Sequence, residues 1–207
     1  MKLYYSPGAC SQAPHIILHE TGLSHDAERV DLKTKKLEDG GDYLAVNPKG
    51  AVPALRLDSG EVLTENSVIL QYLGDRAAWP EVLPPMGDFR RYRVLEAVNF
   101  ITTELHKRFG LFLFNPDVSD EMKQLAIAEI GKKLDYIDKE MGAGPYLMGE
   151  ELTLPDAYLF VITGWTDKFM DLSRWPNLAA SRERMMQRPA VRHVLKFEGL
   201  LEEEPVA

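Results

Sequence analysis

Cys10 is the only cysteine of the chain, and it lies in the turn that precedes a predicted helix. N–H groups at a helix start have no intrahelical partner, and that end of the helix carries positive potential. A thiol at such a position is favoured as the reactive thiolate, with a lowered pKa. We expect Ser11 to cap the helix. A lone cysteine is also commonly a small buried hydrophobe, so the position indicates either thiol chemistry or core packing.

A second candidate is the pair Val52-Pro53, which opens an extended run. The backbone N–H and C=O of Val52 could pair with an added strand, such as a bound peptide. A cis bond would mark a tight turn, but cis X–Pro bonds are a minority, so the sequence alone favours the trans form.

A third candidate is the segment Glu65-Asn66-Ser67, in the first turn of a helix predicted through residues 68–73 with Thr64 as its cap. These residue types are typical of ordinary helix capping and of charges placed against the helix dipole. They are equally suited to hold a carboxylate with backbone N–H groups and short polar side chains. Both interpretations stay open.

A long predicted helix carries Asn99, Thr103 and His106 at spacings that place them on one face. Polar residues beside an apolar stripe indicate either a solvated face or the wall of a binding site. Glu104 and Lys107 on the same helix are equally consistent with surface charges.

Familiar cofactor motifs are missing from the sequence, which contains no GxGxxG, GxxxxGKS/T or HExxH pattern. His15 and His19 are four residues apart on one predicted helix and could form a metal pair. The sequence shows no third ligand, so we predict no metal site.

The elements that position these residues divide into two regions. Up to about residue 75, strands and helices alternate in the manner of a small α/β unit. The predicted elements are a strand in KLYY, a helix over 11–20, a strand over 27–32, a helical turn near 43–46, a hairpin of 52–57 with 62–63, and the helix through 68–73.

Residues 79–87 contain three prolines and a glycine, so we place a linker there. After it the pattern is helical. Thr153 and Asp156 form a predicted capping box before an apolar helix that belongs inside a bundle. The other predicted helices are a long one from Phe89, one through 122–141 ended by 142–145, and two short ones near 177–186 and 190–196.

Composition restricts the function classes. The 207 residues are 45% hydrophobic and 27% charged, which is ordinary for a globular protein. The net charge of −8 argues against a partner with a phosphate backbone, so we expect no nucleic acid. We also expect no membrane segment and no secretory signal, because no apolar run is long enough. With one cysteine and no internal disulfide, a cytoplasmic location fits best.

Taken together and in order, these motifs resemble those of the bacterial beta-class glutathione S-transferases, and the resemblance covers essentially the whole chain. It is carried by Ser6-Pro7-Gly8-Ala9-Cys10-Ser11, Val52-Pro53, Glu65-Asn66-Ser67, Asn99 with Glu104-Leu105-His106-Lys107, and Thr153-Leu154-Pro155-Asp156.

The resemblance implies an α/β plus all-α fold. A thioredoxin-like, glutathione-binding domain would span residues 1–80, and an all-helical domain with the electrophile pocket would span 87–207. It further implies a cytoplasmic homodimer acting in detoxification, with the active site in the cleft between the domains. Glutathione would be the co-substrate, with no metal, and a small hydrophobic electrophile would be the second substrate.

The resemblance also assigns residues. Cys10, Ser11 and His106 would be catalytic, with Cys10 beside the glutathione sulfur and His106 orienting it or neutralising its charge. Val52 and Pro53, with the proline in the cis form, would hold the cysteinyl unit, Lys35 the glycyl carboxylate, and Glu65 and Asn66 the γ-glutamyl end. The remaining implied binding residues are Asn99, Thr103, Glu104, Leu105 and Lys107.

Two positions depart from the pattern. Residue 66 is Asn where Ser or Gly is expected, which indicates altered contacts, and Gln12 replaces an apolar residue and would face solvent or the cleft. Phe112, Phe114, Trp165 and the loop over 109–115 would line the electrophile pocket, but apolar residues do not identify the electrophile.

The implied reaction is attack of a bound glutathione thiolate on an electrophilic carbon. Cys10 would add thiol–disulfide exchange through a mixed disulfide. The alternatives are a non-catalytic protein that binds glutathione and hydrophobic ligands, and a purely structural interaction protein.

Overall fold

In the computed structural model, which describes residues 1–202, the chain divides into two units. The first unit comprises Met1–Trp79 together with the chain from Met186 onward, and the second comprises Pro80–Met185. The last helix among residues 1–202 therefore belongs to the first unit, a grouping that the order of the sequence does not suggest.

A mixed sheet forms the centre of the first unit. Its strands, among residues 1–202, are β1 Lys2–Tyr5, β2 Asp26–Asp31, β3 Lys36–Leu37, β4 Ala54–Arg56 and β5 Val62–Thr64, in the order β3-β2-β1-β4-β5. β1 pairs in parallel with β2, while the other pairs are antiparallel. Leu3 and Tyr4 in β1 are almost fully buried, as expected for a central strand.

The helices of the described residues are α1 Gln12–Thr21, α2 Asn66–Ala77, α3 Phe89–Phe100, α4 Asp120–Met141, α5 Leu154–Thr166, α6 Pro176–Gln187 and α7 Pro189–Phe197. In the first unit α1 buries Ile16, Ile17 and Leu18. It ends at Gly22, whose φ of 67° is the left-handed conformation that glycine adopts most readily. α7 packs on α1, and Arg188 just before α7 donates to the Glu20 carboxylate at 2.8 Å.

The second unit is helical and is organised around α5. Residues 154–163 of this helix are all buried, in agreement with the prediction of an interior helix. Asp156 accepts hydrogen bonds from the Thr153 N–H and hydroxyl, each at 2.7 Å, and from the Leu147 N–H at 2.7 Å. The predicted reach of Asp156 back to the start of the helix is therefore confirmed.

Most predicted elements are confirmed, with differences at their ends. The expected long helix from Phe89 is α-helical only to Phe100 and continues as π-helical turns over Ile101–His106 and Phe109–Leu113. Thr64 is the last residue of β5 and not a helix cap, and Glu65 precedes α2 instead. The two-residue strand β3 and a short 3₁₀ turn over Leu172–Arg174 are too brief to leave a periodic pattern.

Within residues 1–202, none of the helices combines the length and the apolar character that a bilayer span requires.

Candidate functional site

Cys10 and Val52 are 42 positions apart in the sequence and meet in the first unit. The Cys10 thiol donates to the Val52 carbonyl at an Sγ–O distance of 3.3 Å, and both residues are buried. The Val52–Pro53 bond is cis, contrary to the expectation from the sequence alone and in agreement with the family resemblance. The hydrogen bond requires the protonated thiol, since only an S–H can donate to a carbonyl.

The segment that contains Val52 is fixed by side chains that the sequence analysis did not select. The Tyr43 hydroxyl and the Asn47 amide both donate to the Ala51 carbonyl, each at 2.7 Å. The Lys35 ammonium donates to the Gly50 carbonyl, also at 2.7 Å. Three donors on two successive carbonyls hold this segment in place, and they bring Lys35 to the residues just before Val52.

The turn before α1 differs from the prediction in one respect. Ser11 occupies the capping position, but its hydroxyl makes no capping bond to the helix. It accepts from the Ser6 N–H at 3.1 Å and donates to the Ser6 carbonyl at 3.3 Å, so it closes the turn that carries Cys10. The Gln12 and Ala13 N–H groups bond to the Ala9 and Cys10 carbonyls, which leaves Ser11 free for this second role.

Glu198, just after α7, completes the same turn. Its carboxylate accepts from the Gly8 N–H at 3.0 Å, from the Gln12 amide at 3.1 Å and from His15 Nδ1 at 3.0 Å. Gln12 is 4% exposed, so it does not face solvent, and its amide belongs to this buried network. Buried hydrogen bonds of this kind hold the backbone around them in place.

Glu65 and Asn66 lie at the start of α2. Glu65 has a φ of 71°, a conformation that costs a side-chain-bearing residue about 1–3 kcal/mol and is found mostly at functional sites. Its carboxylate pairs with Lys49 at 2.6 Å. Asn66 is buried, and neither amide atom has a hydrogen-bond partner among residues 1–202. Burying an amide without hydrogen-bond partners costs about 1–3 kcal/mol of folding free energy. Glu65 and Asn66 therefore both lower the stability of the folded state, and the fold alone does not explain why they are there.

In the second unit, Asn99, Thr103 and His106 do not share one face as predicted. Asn99 and Thr103 are exposed, and the Thr103 hydroxyl donates to the Asn99 carbonyl at 3.2 Å. His106 is half-buried instead, with Nδ1 at 2.6 Å from the Tyr158 hydroxyl of α5. The π-helical turn over Ile101–His106 causes the difference, because its wider turn shifts the residues away from α spacing.

Burial lowers the pKa of His106 to about 4, with a smaller effect from Lys107. The imidazole is therefore neutral at pH 7. A neutral ring can donate or accept a hydrogen bond, which suits orientation of the glutathione sulfur better than neutralisation of its charge, and both roles stay predictions.

This low pKa predicts an acid-sensitive fold. In the unfolded chain His106 binds a proton near its ordinary pKa of about 6.5. Between that value and about 4 the unfolded state binds more protons than the folded state, so the free energy of unfolding falls as the pH is lowered. We expect urea denaturation at pH 7.0 and 4.5 to show this loss, and the His106→Gln variant to lose less. An equal loss in both proteins would contradict the prediction.

Three further residues predicted to bind ligand lie next to His106. Hydrogen bonds from Arg108, at 3.0 Å, and from Lys133, at 3.3 Å, hold the pKa of Glu104 below its usual range. Leu105 is fully buried, so its side chain packs in the core of this unit. Lys107 is exposed.

An aromatic group in the second unit surrounds Trp165, whose ring centroid lies 5.2 Å from that of His106, 5.7 Å from Phe109 and 5.3 Å from Phe114. Phe114 is 41% exposed, so the group has an apolar face open to solvent. Edge-to-face pairs at these distances are each favourable by about 0.5–1.5 kcal/mol beyond their buried area.

Comparisons with known proteins agree with these two units. The glutathione S-transferase N-terminal domain family matches residues 8–76, and the corresponding C-terminal domain family matches residues 102–189. A curated relative, the glutathione S-transferase GstA of Escherichia coli O157:H7, is 44% identical over 97% of this chain and 100% of its own length.

The chain belongs to the glutathione S-transferase family.

Solved structures place it among the bacterial members. A beta-class glutathione S-transferase from Sphingomonas chungbukensis shares 48% identity with a TM-score of 0.92, covering 97% of this chain and 100% of that one. A sphingomonad glutathione S-transferase complexed with glutathione shares 45% identity with a TM-score of 0.92 and the same coverage. The expected transferase fold, a thioredoxin-like sheet domain and a helical domain, is confirmed, and so is the expectation of an enzyme.

Within this glutathione S-transferase fold, the sequence missed the residues that hold the site in place. Tyr43, Asn47 and Glu198 act on the segment before Val52 and on the turn before Cys10, while Tyr158 positions His106. Each reaches its target through the tertiary fold. The only signal available beforehand was the presence of polar residues in otherwise apolar surroundings.

Proposed function

We propose that this protein binds glutathione on its first unit and transfers the glutathione thiolate to small apolar electrophiles. The observation that carries the proposal is the contact between Cys10, at the start of α1, and Val52, beside the cis proline. It joins two segments that the resemblance assigns to the same ligand. A sphingomonad relative was solved in complex with glutathione, which supports the choice of ligand.

The charges of the first unit suit the two ends of the tripeptide. Lys35 offers an ammonium for the glycyl carboxylate, and Glu65 offers a carboxylate for the γ-glutamyl ammonium. The Val52 backbone would pair with the cysteinyl unit, with Pro53 fixing its direction. The Asn66 side chain would form hydrogen bonds to the γ-glutamyl carboxylate, which would offset the free-energy cost of burying it without a partner.

The reaction needs the anionic form of the glutathione sulfur. The positive end of α1 favours that form, and we propose that the turn closed by Ser11 directs the helix end at the sulfur. In the conjugation step a C–S bond forms, the bond to a leaving group such as halide breaks, and the leaving group departs with the electron pair. The thiol proton passes to solvent on binding.

The electrophile would bind to the helical unit. The open apolar face at Phe114 and Trp165 fits a small hydrophobic molecule, and the exposed Asn99, Thr103 and Lys107 are our proposed polar contacts on this unit. We propose that the enzyme is a homodimer, which sedimentation of the purified protein would test.

The proposal is tested by titrating bound glutathione and following thiolate absorbance. The Cys10→Ala variant is the useful form for this measurement, because it removes the only thiol of the protein and leaves the signal to glutathione. We expect an apparent pKa at least about 1 unit below the ordinary thiol value of about 8.5. S-methylglutathione, which cannot ionise at sulfur, gives the background. An unshifted pKa for bound glutathione would overturn thiolate stabilisation, and failure to bind glutathione would overturn the proposed function.

A further inference from the structure

Four of the five histidines of this chain lie together in the first unit, within the residues that the structure describes. The ring centroid of His19 is 5.2 Å from that of His15, 4.8 Å from His25 and 4.4 Å from His193. One ring nitrogen each of His15, His19 and His25 lies within 4.8 Å of the other two. The sequence indicated only the pair on α1, because His25 is brought beside that pair by the return of the chain into β2.

Hydrogen bonds orient two of these rings. His15 Nδ1 is 3.0 Å from the Glu198 carboxylate, and His25 Nδ1 is 2.8 Å from the Leu23 carbonyl. Because both partners are acceptors, Nδ1 is the donor in each ring, and a neutral ring bonded in this way presents its Nε2 lone pair to other partners. Metal-binding histidines show this same arrangement, with the second nitrogen donating to a carboxylate or a backbone carbonyl.

The Nε2 atom of His15 gives an independent indication of a ligand. His15 is 0% exposed, and this nitrogen has no hydrogen-bond partner among residues 1–202. A buried nitrogen lone pair without a partner costs free energy, which a bound cation would recover. The other ring nitrogen of His15 is occupied by Glu198, so Nε2 is the atom that this ring offers to the cluster.

The charge next to the cluster also suits a cation. Glu198 places one carboxylate behind His15, so a divalent ion would not meet a purely neutral surrounding.

We propose that His15, His19 and His25 form a binding site for a divalent transition-metal ion of the Zn²⁺ class. Imidazole nitrogens suit Zn²⁺, Ni²⁺ and Cu²⁺ better than Mg²⁺ or Ca²⁺, which take oxygen ligands. Three histidines would leave a fourth position for water, and the partial exposure of His19 and His25 provides access.

The geometry requires a small adjustment. Tetrahedral Zn²⁺ with nitrogens at about 2.0–2.1 Å places its ligands about 3.4 Å apart. The observed separations are at most 4.8 Å, so the rings must approach by up to about 1.4 Å. Rotation of the half-buried His19 and His25 side chains can supply this movement, while His15 stays fixed by Glu198.

The test is calorimetric titration of Zn²⁺ into untagged protein that has been dialysed against a chelator. We expect one Zn²⁺ per chain, and Co²⁺ in its place should give the absorption of a four-coordinate site. Zn²⁺ at a hundredfold excess over its Kd should raise the Tm by about 5–11 °C. The His25→Ala variant should bind Zn²⁺ at least about 100-fold more weakly, since losing an outer hydrogen-bond partner alone costs 10–100-fold.

His106→Ala is the matched control, because it removes the one histidine that lies outside the cluster, and its Zn²⁺ affinity should be unchanged. If His25→Ala does not fold, His19→Gln is the second variant. It should fold, and it should lose Zn²⁺ affinity to the same extent. If the wild-type protein does not bind Zn²⁺ at about 100 micromolar, which is on the order of the Kd of a weak surface site, the proposal is overturned. Wild-type affinity in both cluster variants would overturn it as well, since the ion would then bind elsewhere.

Discussion

The Cys10→Ala variant is expected to lose thiol–disulfide exchange completely while it continues to conjugate glutathione. In the proposed exchange, the Cys10 thiolate attacks a glutathione mixed disulfide, forms a disulfide with the glutathione sulfur and releases the other thiolate. A second glutathione thiolate then attacks this bond and leaves as oxidised glutathione, which restores Cys10. No other cysteine can replace it, because the chain has only one.

Conjugation should survive because the attacking sulfur belongs to glutathione and not to the protein. Loss of the Sγ–Val52 contact at 3.3 Å should change its rate only moderately. The measurement pairs two assays on the same preparation, one with a mixed disulfide and one with an aryl halide. Cys10→Ser, which keeps a donor to the Val52 carbonyl, separates the structural role of the hydrogen bond from the chemistry. Exchange by either variant at the wild-type rate would exclude Cys10 as the nucleophile.

The Asp156→Ala variant is expected to lower the free energy of unfolding by about 2–4 kcal/mol. The Asp156 carboxylate accepts three hydrogen bonds of 2.7 Å, from the N–H and hydroxyl of Thr153 and from the Leu147 N–H. The variant leaves all three donors without this partner. Burial raises the pKa of Asp156, which means that burying the charged carboxylate is itself unfavourable. The variant removes this unfavourable contribution as well, so it should lose less stability than three separate hydrogen bonds would provide.

Thermal unfolding measures this loss, and a fall in Tm of about 4–16 °C is expected for a chain of this size. Thr153→Ala is the matched control, since it removes the hydroxyl and leaves both backbone donors paired. It should cost about 1 kcal/mol. Equal losses in the two variants would show that the hydroxyl alone matters and that Asp156 does not organise the start of α5.

The sequence was sufficient for the parts of the fold that depend on local pattern. A short apolar run predicted β1, the turn over residues 58–60 predicted the hairpin of β4 and β5, and continuous apolar character predicted that α5 is interior. The π-helical turns after Phe100 were not predicted, because such turns are rare insertions within helices and the apolar spacing here was interpreted as one continuous α-helix. That single difference separates His106 from the exposed face of Asn99 and Thr103.

The candidate site shows the same division. Cys10 and Val52 could be selected because their types and neighbours are distinctive, but their contact depends on strand order. The cis state of Pro53 also had to come from the family resemblance, since the dipeptide itself favours trans. Glu198 was invisible in the sequence, because an acidic residue near the chain end is ordinarily solvated.

Glu198 also has a consequence for how the protein is made. Its carboxylate receives the Gly8 N–H across a separation of 190 residues, and α7 packs on α1. A ribosome adding 5–20 residues per second delivers Gly8 at least about ten seconds before Glu198. The turn around Cys10 therefore cannot form this hydrogen bond until residue 198 has been translated, and a stop codon shortly before position 198 would release a chain whose opening turn lacks it.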